Sequence, residues 1–404
     1  MERLRFVAGP DSEPLDAAEV GAKAANLAAM ARAGLAVPPA FVLPVTFCAP
    51  VAEGRVDALA ELDRRLAEGI AFLEQRTGRR FGDRRRPLLV SVRSGAARSM
   101  PGMLETVLNV GADETAVAGL VRATGNLRFA LDCRRRFLEG WAETVLGLDP
   151  RPLAEDLARL VAEERVASDR DLDSEALARR IDHCLAALGG RLPPDPTAQL
   201  AAAARAVFAS WRADKATTYR RLHGFDDLAG TAVTVQAMVY GNADARSGAG
   251  VAFSRDPSTG APTPVVELLF DAQGEDVVSG RRTPGGIEDL RARLPAVADE
   301  LLAALARLEA AFGDVQDVEF TVESGRLWLL QTRSAKRTPR AALRVAVDLV
   351  AEGVIDEAEA LRRLDALDPA RLDESRFSDD LAPHAIGLGA APGVAVGRIA
   401  CSST

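Results

Sequence analysis

Cysteine and histidine are scarce in this chain. The four cysteines, Cys48, Cys133, Cys184 and Cys401, lie far apart with no Cys-x-x-Cys pair, which excludes a disulfide framework or a zinc knuckle and leaves free thiols as the expectation. The three histidines are His183, His223 and His384; the first two fall on helical stretches, where a surface or packed imidazole is the ordinary reading. No run approaches the roughly 18 apolar residues a membrane span needs, and the start, Met-Glu-Arg-Leu-Arg-Phe, has no signal-peptide apolar core. A cytoplasmic protein without membrane association is the expectation. Positive charge is also short, 50 Lys and Arg against 58 Asp and Glu for a net charge of −8, which argues against a nucleic-acid or anionic-membrane surface. Any anion site must therefore be a local cleft. What is present, 404 residues with 48% hydrophobic and 27% charged content, suits a globular enzyme of two or three domains. There is no internal repeat or low-complexity tract.

A helix signal covers residues 16–33, closed by Gly34 and by Pro38-Pro39 ahead of the strand-like Phe41-Val42-Leu43. Helical spacing runs over 56–75. Pro87 then opens a strand leading to Arg93, and the loop after it is expected to reach another helix. From 113 to 224, Ala, Leu and Arg at helical spacing, anchored by Phe129, Phe137 and Trp141, predict a helical insertion. Asp195 as N-cap and Pro196 at the first helical position predict a helix running to about Leu222. Strands are expected at 231–240, 250–254, 264–270, 318–322 and 327–331, with Ser324-Gly325 as a hairpin turn. After Pro339 come two short helices hinged at Gly353, a polar stretch over 365–380 and a new strand signal in 387–404. The class is α+β.

Four places concentrate chemistry. In Gly21-Ala22-Lys23-Ala24-Ala25-Asn26-Leu27 a lysine at a helix start can set its ammonium on a phosphate, the alternative being a solvated lysine on an alanine-rich helix. Behind the apolar Leu88-Leu89-Val90, Arg93 stands at a strand end as a phosphate fork, with Ser94, Arg98, Ser99 and Gly102 in the loop. Around Gln236, strand backbone at Met238 and Val239 can hydrogen-bond an adenine edge, though Met238 also reads as plain core, and Gly248 and Gly250 permit close backbone approach. The fourth place is acidic. Glu275 and Asp276 interrupt apolar sequence, and Asp317 and Glu319 share a strand face opposite Gln331 and Arg333. Such oxygen ligands suit Mg²⁺ on substrate phosphates, and the alternative is a cross-strand salt bridge.

Together these residues resemble the pyruvate phosphate dikinase family. The resemblance is carried by Gly-x-Lys-x-Ala-Asn-Leu at 21–27, Ser-Val-Arg-Ser-Gly-Ala-Ala-x-Ser-Met-Pro-Gly-Met at 91–103, Val-Gln-x-Met-Val-x-Gly at 235–241 and Gln-Gly-Glu-Asp-Val-Val at 273–278. Gln-Asp-x-Glu-Phe-Thr at 316–321 and Leu-Gln-Thr-Arg-x-x-Lys-Arg-Thr at 330–338 continue it in order. It implies an ATP-grasp fold with an N-terminal lobe at 1–112, the helical insertion at 113–224, a C-terminal lobe at 225–340, a helical linker at 341–382 and the start of a swivelling phosphohistidine domain at 383–404. It further implies phosphate contacts from Lys23 and Arg93 with Ser94, nucleotide contacts from Gln236, Met238, Val239, Glu275 and Asp276, and Mg²⁺ with the triphosphate at Asp317, Glu319 and Gln331. Arg333 would support the transferring group, so Lys23, Arg93 and Arg333 are the expected catalytic side chains.

The family's phosphorylatable histidine sits in a Gly-Gly-x-Thr-Ser-His setting that none of the three histidines shares. The resemblance to the swivelling domain covers only its first strand, at 387–398, and the pyruvate-binding barrel is not matched. The expectation is a chain that takes ATP and phosphate and hands a phosphoryl group to a histidine on another domain or chain. A silent ATP sensor or assembly module, and a phosphotransferase acting on a small molecule, stay open, as does homodimerisation. Alanine at Ala22 and Ala24, where the family favours glycine, tightens the first phosphate turn.

Overall fold

A computed structural model describes residues 3–278 and 282–365, with Leu367 and Gly397 as isolated positions. His384, Cys401 and the expected strand at 387–398, Gly397 apart, lie outside the described residues. Helices and strands mix as an α+β chain. The strands are β1 (Arg5–Val7), β2 (Ala40–Leu43), β3 (Arg80–Phe81), β4 (Pro87–Leu88), β5 (Val90–Gly95), β6 (Thr106–Val110), β7 (Ala232–Ala237), β8 (Gly248–Phe253), β9 (Val265–Phe270), β10 (Gln316–Glu323) and β11 (Arg326–Ser334). Among the described residues no helix is long and apolar enough to cross a membrane.

The chain packs as two compact units, the first formed by residues 1–251, 266–304 and 318–333. Its five-stranded sheet has the order β1-β2-β7-β5-β6, antiparallel throughout. Every residue of β2 and β7 is buried; β2 is apolar throughout, while β7 buries Thr234 and Gln236 between its apolar residues. Phe41 and Val92 both pair with Val235, which fixes the central register. The helix Val56–Thr77 lies so close to β2 that a Cβ on Gly69 would come within 2.5 Å of the Phe41 ring.

Helix α1 (Ala17–Arg32) is capped by Asp16, whose carboxylate accepts the Ala18 N–H at 2.9 Å. Gly21 breaks it with φ 78° and ψ 154°, so the run carrying Lys23 begins afresh at that point. A Cβ at Gly21 would sit 2.2 Å from the Gly95 carbonyl oxygen, and the next amide, Ala22 N–H, donates to the Ala96 carbonyl at 2.9 Å. Only glycine satisfies both the dihedral and the contact.

Four expectations are corrected. The loop after β5 leads into β6, an antiparallel partner, and not into a helix. The helix opened by Asp195 and Pro196 spans Pro196–Ala209 and stops at a 3₁₀ turn, Ser210–Arg212, before a second helix, Asp214–His223. There the Ser210 hydroxyl donates to the Val207 carbonyl at 2.7 Å and Trp211 turns inward, which ends the regular ladder. The strand expected over 231–240 ends at Ala237, so Met238 and Val239 follow it; the Gln-Gly-Glu-Asp stretch forms a short helix, Gly274–Val278. The Ser324-Gly325 turn has φ of 51° and 80°, the two left-handed residues a tight hairpin requires.

The helices between β6 and β7 cross-link through buried charge. Asp132 accepts from Arg135 and Arg136, and Arg180 is held by Glu139 and Asp156. Burial works to raise the Asp132 pKa, but Arg135 and Arg136 overcome it and hold the carboxyl well below its usual range. Cys48, Cys133 and Cys184 are buried free thiols. The His183 Nδ1–H donates to the Asp156 carboxylate over 2.9 Å, and His223 stacks on Tyr219 with ring centres 4.1 Å apart.

The second unit comprises residues 252–265, 305–317 and 334–404. Val315, Ala335, Val345 and Leu349 form its core, and the helices Pro339–Ala351 and Glu357–Leu364 are separated at Gly353, φ 72°. Its buried Arg255 is held by Glu309 at 2.7 Å and Glu352 at 2.5 Å.

Candidate functional site

The first unit contains two adjoining cavities, with Arg93, Thr106 and Glu319 common to their linings. The larger, about 500 Å³, is cationic: Lys23, Arg93, Arg98 and Arg333 line it with Ser94 and Ser99, and Glu319 is its one carboxylate. The smaller, about 260 Å³, is mostly apolar, with Met238, Val239, Val251, Phe320 and Leu330 on its walls and Gln236 and Glu275 among its few polar groups. A positively charged chamber beside a mostly apolar one suits a polyphosphate attached to an aromatic base.

Each cation arrives on separate backbone. Arg93 stands two residues before the end of β5, between Thr234 of β7 and Thr106 of β6. Lys23 comes from the α1 turn locked against Gly95, and Arg333 from the end of β11. Asn26, one helical turn beyond Lys23, donates its amide N–H to the Thr332 carbonyl at 2.8 Å and so ties α1 to β11. Neither Lys23 nor Arg93 makes a side-chain hydrogen bond or salt bridge to a described residue, whereas arginines on the helical segment are paired with carboxylates. Unpaired cations in a cavity are a ready anion site.

Lys23 has its pKa lowered to about 8, first by the protein surrounding it, then by repulsion from Arg93 and Arg333, with Glu319 acting in the opposite sense. The side chain also meets water within the cavity. The charge couplings place Lys23, Arg93, Glu319 and Arg333 at one locus. Because the free-state pKa is depressed, Lys23 loses its charge as pH rises through about 8, and a bound polyanion restores it. Affinity for Mg-ATP is expected to fall by up to about tenfold per pH unit above that point, and Lys23→Arg should flatten the dependence; titration calorimetry between pH 7 and 9.5 checks both.

The expected site residues divide by position. Lys23, Arg93, Ser94, Glu319, Gln331 and Arg333 line the cationic cavity; Gln236, Met238, Val239 and Glu275 line the apolar one. Asp276 and Asp317 line neither. Asp276 is bound by Arg136 through both carboxylate oxygens at 3.0 Å and accepts the Gln273 N–H at 2.9 Å. Asp317 is buried and belongs to the second unit. Gln236 spends its amide on the Pro38 carbonyl at 3.1 Å, and the Met238 N–H already donates to the Leu89 carbonyl at 2.9 Å. Of the two expected base-reading residues, Val239 is thus the one whose N–H has no protein partner among the described residues. Thr106 and Asn26 were not legible as site residues; Thr106 is brought in by a strand pairing and Asn26 by the α1 turn that carries Lys23.

The family model for "Pyruvate phosphate dikinase, AMP/ATP-binding domain" matches residues 58–291 and 295–353. This chain belongs to the pyruvate phosphate dikinase family. It is 42% identical to pyruvate, phosphate dikinase of Rhizobium meliloti (strain 1021) over 414 residues, covering 96% of this chain and 45% of that protein. It is 40% identical to pyruvate, phosphate dikinase of Clostridium symbiosum over 389 residues, covering 94% of the chain and 44% of the relative. The chloroplastic enzyme of Mesembryanthemum crystallinum is 41% identical over 394 residues, with 95% and 41% covered. The chain thus spans less than half the length of these relatives. The matched stretch contains Arg93, Glu275, Glu319 and Arg333, while Lys23 precedes it.

Proposed function

We propose that this chain is the nucleotide-binding part of a dikinase: it binds Mg-ATP across the two adjoining cavities and transfers a phosphoryl group to a histidine on a separate domain. Adenine occupies the apolar chamber against Met238 and Val239, and the triphosphate lies among Lys23, Arg93 and Arg333. The five-stranded sheet and the four-stranded sheet of order β11-β10-β8-β9 then act as ATP-grasp lobes. The observation that carries the reading is the convergence of Lys23, Arg93 and Arg333 with one carboxylate, Glu319, on a cavity adjoining an apolar chamber.

The donor set suits Mg²⁺. Glu319 and Gln331 contribute oxygen ligands, Glu319 has no hydrogen bond or salt bridge to a described residue, and no cluster of three or more metal-ligating residues occurs among the described residues. A site with few protein ligands fits a cation completed by substrate phosphates. When bound, the ion neutralises charge on the transferring phosphates. Lys23, Arg93 and Arg333 hold the chain of phosphates in line, and the apolar walls exclude water from the base end. Catalysis is then positioning and charge stabilisation, with no nucleophile required from this chain. The balanced half-reaction is ATP, phosphate and histidine to AMP, diphosphate and phosphohistidine.

The test mixes the purified chain with Mg-ATP, phosphate and a swivelling domain from a family member, and follows phosphohistidine and AMP. Both are expected together in equal amounts. Tight ATP binding without either product would favour a sensor or assembly module and sink the enzyme reading.

A further inference from the structure

A third chamber in the first unit, of about 440 Å³, shares Ala237, Met238 and Val239 with the apolar chamber but no residue with the cationic one. Its size falls in the range of small-molecule sites. Three guanidinium groups line it, those of Arg76, Arg79 and Arg326, against the single carboxylate of Glu323. That carboxylate is already committed: it accepts the Tyr240 N–H at 3.2 Å and lies 3.7 Å from Arg79. Arg76 and Arg326 have no carboxylate partner among the described residues; their guanidinium carbons lie 5.6 Å from the Phe72 ring centre and 3.9 Å from that of Trp328. Leu35, Val37, Pro38 and Pro39 supply apolar surface on the remaining walls.

We propose that this chamber binds a small planar organic anion, an aromatic ring bearing a carboxylate or a phosphate monoester, and that its occupancy changes the affinity of the adjoining apolar chamber. Arg76 and Arg326 receive the anionic group, and the ring lies against the apolar walls. The shared segment provides the coupling. Met238 is pinned on one side by its bond to the Leu89 carbonyl, and Tyr240 on the other by Glu323. A ligand that draws on Arg79 or Glu323 therefore bears on the residues between. The coupling rests on the nucleotide reading of the neighbouring chamber; binding of the anion does not.

Titration calorimetry on the purified chain, with phenyl phosphate, benzoate, inorganic phosphate and benzyl alcohol as probes, decides the matter. Phenyl phosphate or benzoate is expected to bind with a Kd below about 1 mM, and inorganic phosphate and benzyl alcohol much more weakly. Arg326→Ala and Arg76→Ala should each weaken binding roughly tenfold. Saturating Mg-ATP should shift the phenyl phosphate Kd without abolishing binding. Absence of binding, binding untouched by Arg326→Ala and Arg76→Ala, or complete displacement by Mg-ATP would overturn the site. Equal affinity for inorganic phosphate would overturn the aromatic requirement, and an unshifted Kd would overturn the coupling. Failure of the nucleotide reading would show separately, as no heat from Mg-ATP alone.

Discussion

Arg93→Ala is expected to reduce AMP release in the presence of Mg-ATP, phosphate and an acceptor domain by about 10²–10³-fold, with the thermal midpoint within about 2 °C of the parent. The argument for a large catalytic effect and a small structural one has a single source. Arg93 sits where the cationic and apolar chambers meet, so its guanidinium is the group best placed to bridge the phosphates as charge redistributes between them. It makes no side-chain hydrogen bond or salt bridge to a described residue, and truncation therefore breaks no internal pair. Its backbone pairings with Thr234 and Thr106 do not depend on the side chain. Arg93→Lys should recover little, because a point charge does not reproduce a two-pronged donor. Undiminished AMP release from Arg93→Ala would remove the site assignment.

The second large effect is expected at Glu319. Glu319→Ala should lower the rate by about 10²-fold and raise the Mg²⁺ concentration needed for half-maximal activity. It should also move a second observable. Because Glu319 raises the Lys23 pKa while Arg93 and Arg333 lower it, its removal leaves only the repulsions, and Lys23 loses its proton at lower pH. The pH above which Mg-ATP affinity declines should therefore shift in the acid direction. A purely structural role for Glu319 would not move that midpoint, so an unchanged pH profile alongside lost activity would refute the charge coupling. The sign for folding is separate: with the folded-state pKa depressed, the unfolded chain binds the extra proton, and stability rises with pH between about 8 and the ordinary lysine value.

How much of this was readable in advance depends on the distance over which each feature is encoded. Asp195 followed by Pro196, the Asp16 cap and the Ser324-Gly325 turn are local signals, and each appears where the sequence places it. The stop at Ser210 was not readable, since it depends on a hydroxyl turning back on Val207 and on Trp211 entering the core. The β6 strand was missed because Thr106–Val110 is short and its partner is the very strand that precedes the loop. At the cleft, Lys23 and Arg93 stand in compact motifs and read as phosphate ligands from a few neighbours. The fate of Met238, whose N–H is taken by Leu89, is a tertiary fact that strand patterning does not carry. Asp276 shows the same limit: a conspicuous acid beside Glu275, it is gripped by Arg136 from a distant helix.

The seam between Gly21 and Gly95 has a bearing on how this cleft can evolve. Main chain touches main chain there with no side chain between, so the spacing from the lysine-bearing turn to the arginine-bearing strand is a fixed ruler rather than an adjustable one. Adaptation to a longer or shorter anion would have to come from the far wall, where Gln331 and Arg333 ride on β11, or from the loop holding Arg98 and Ser99.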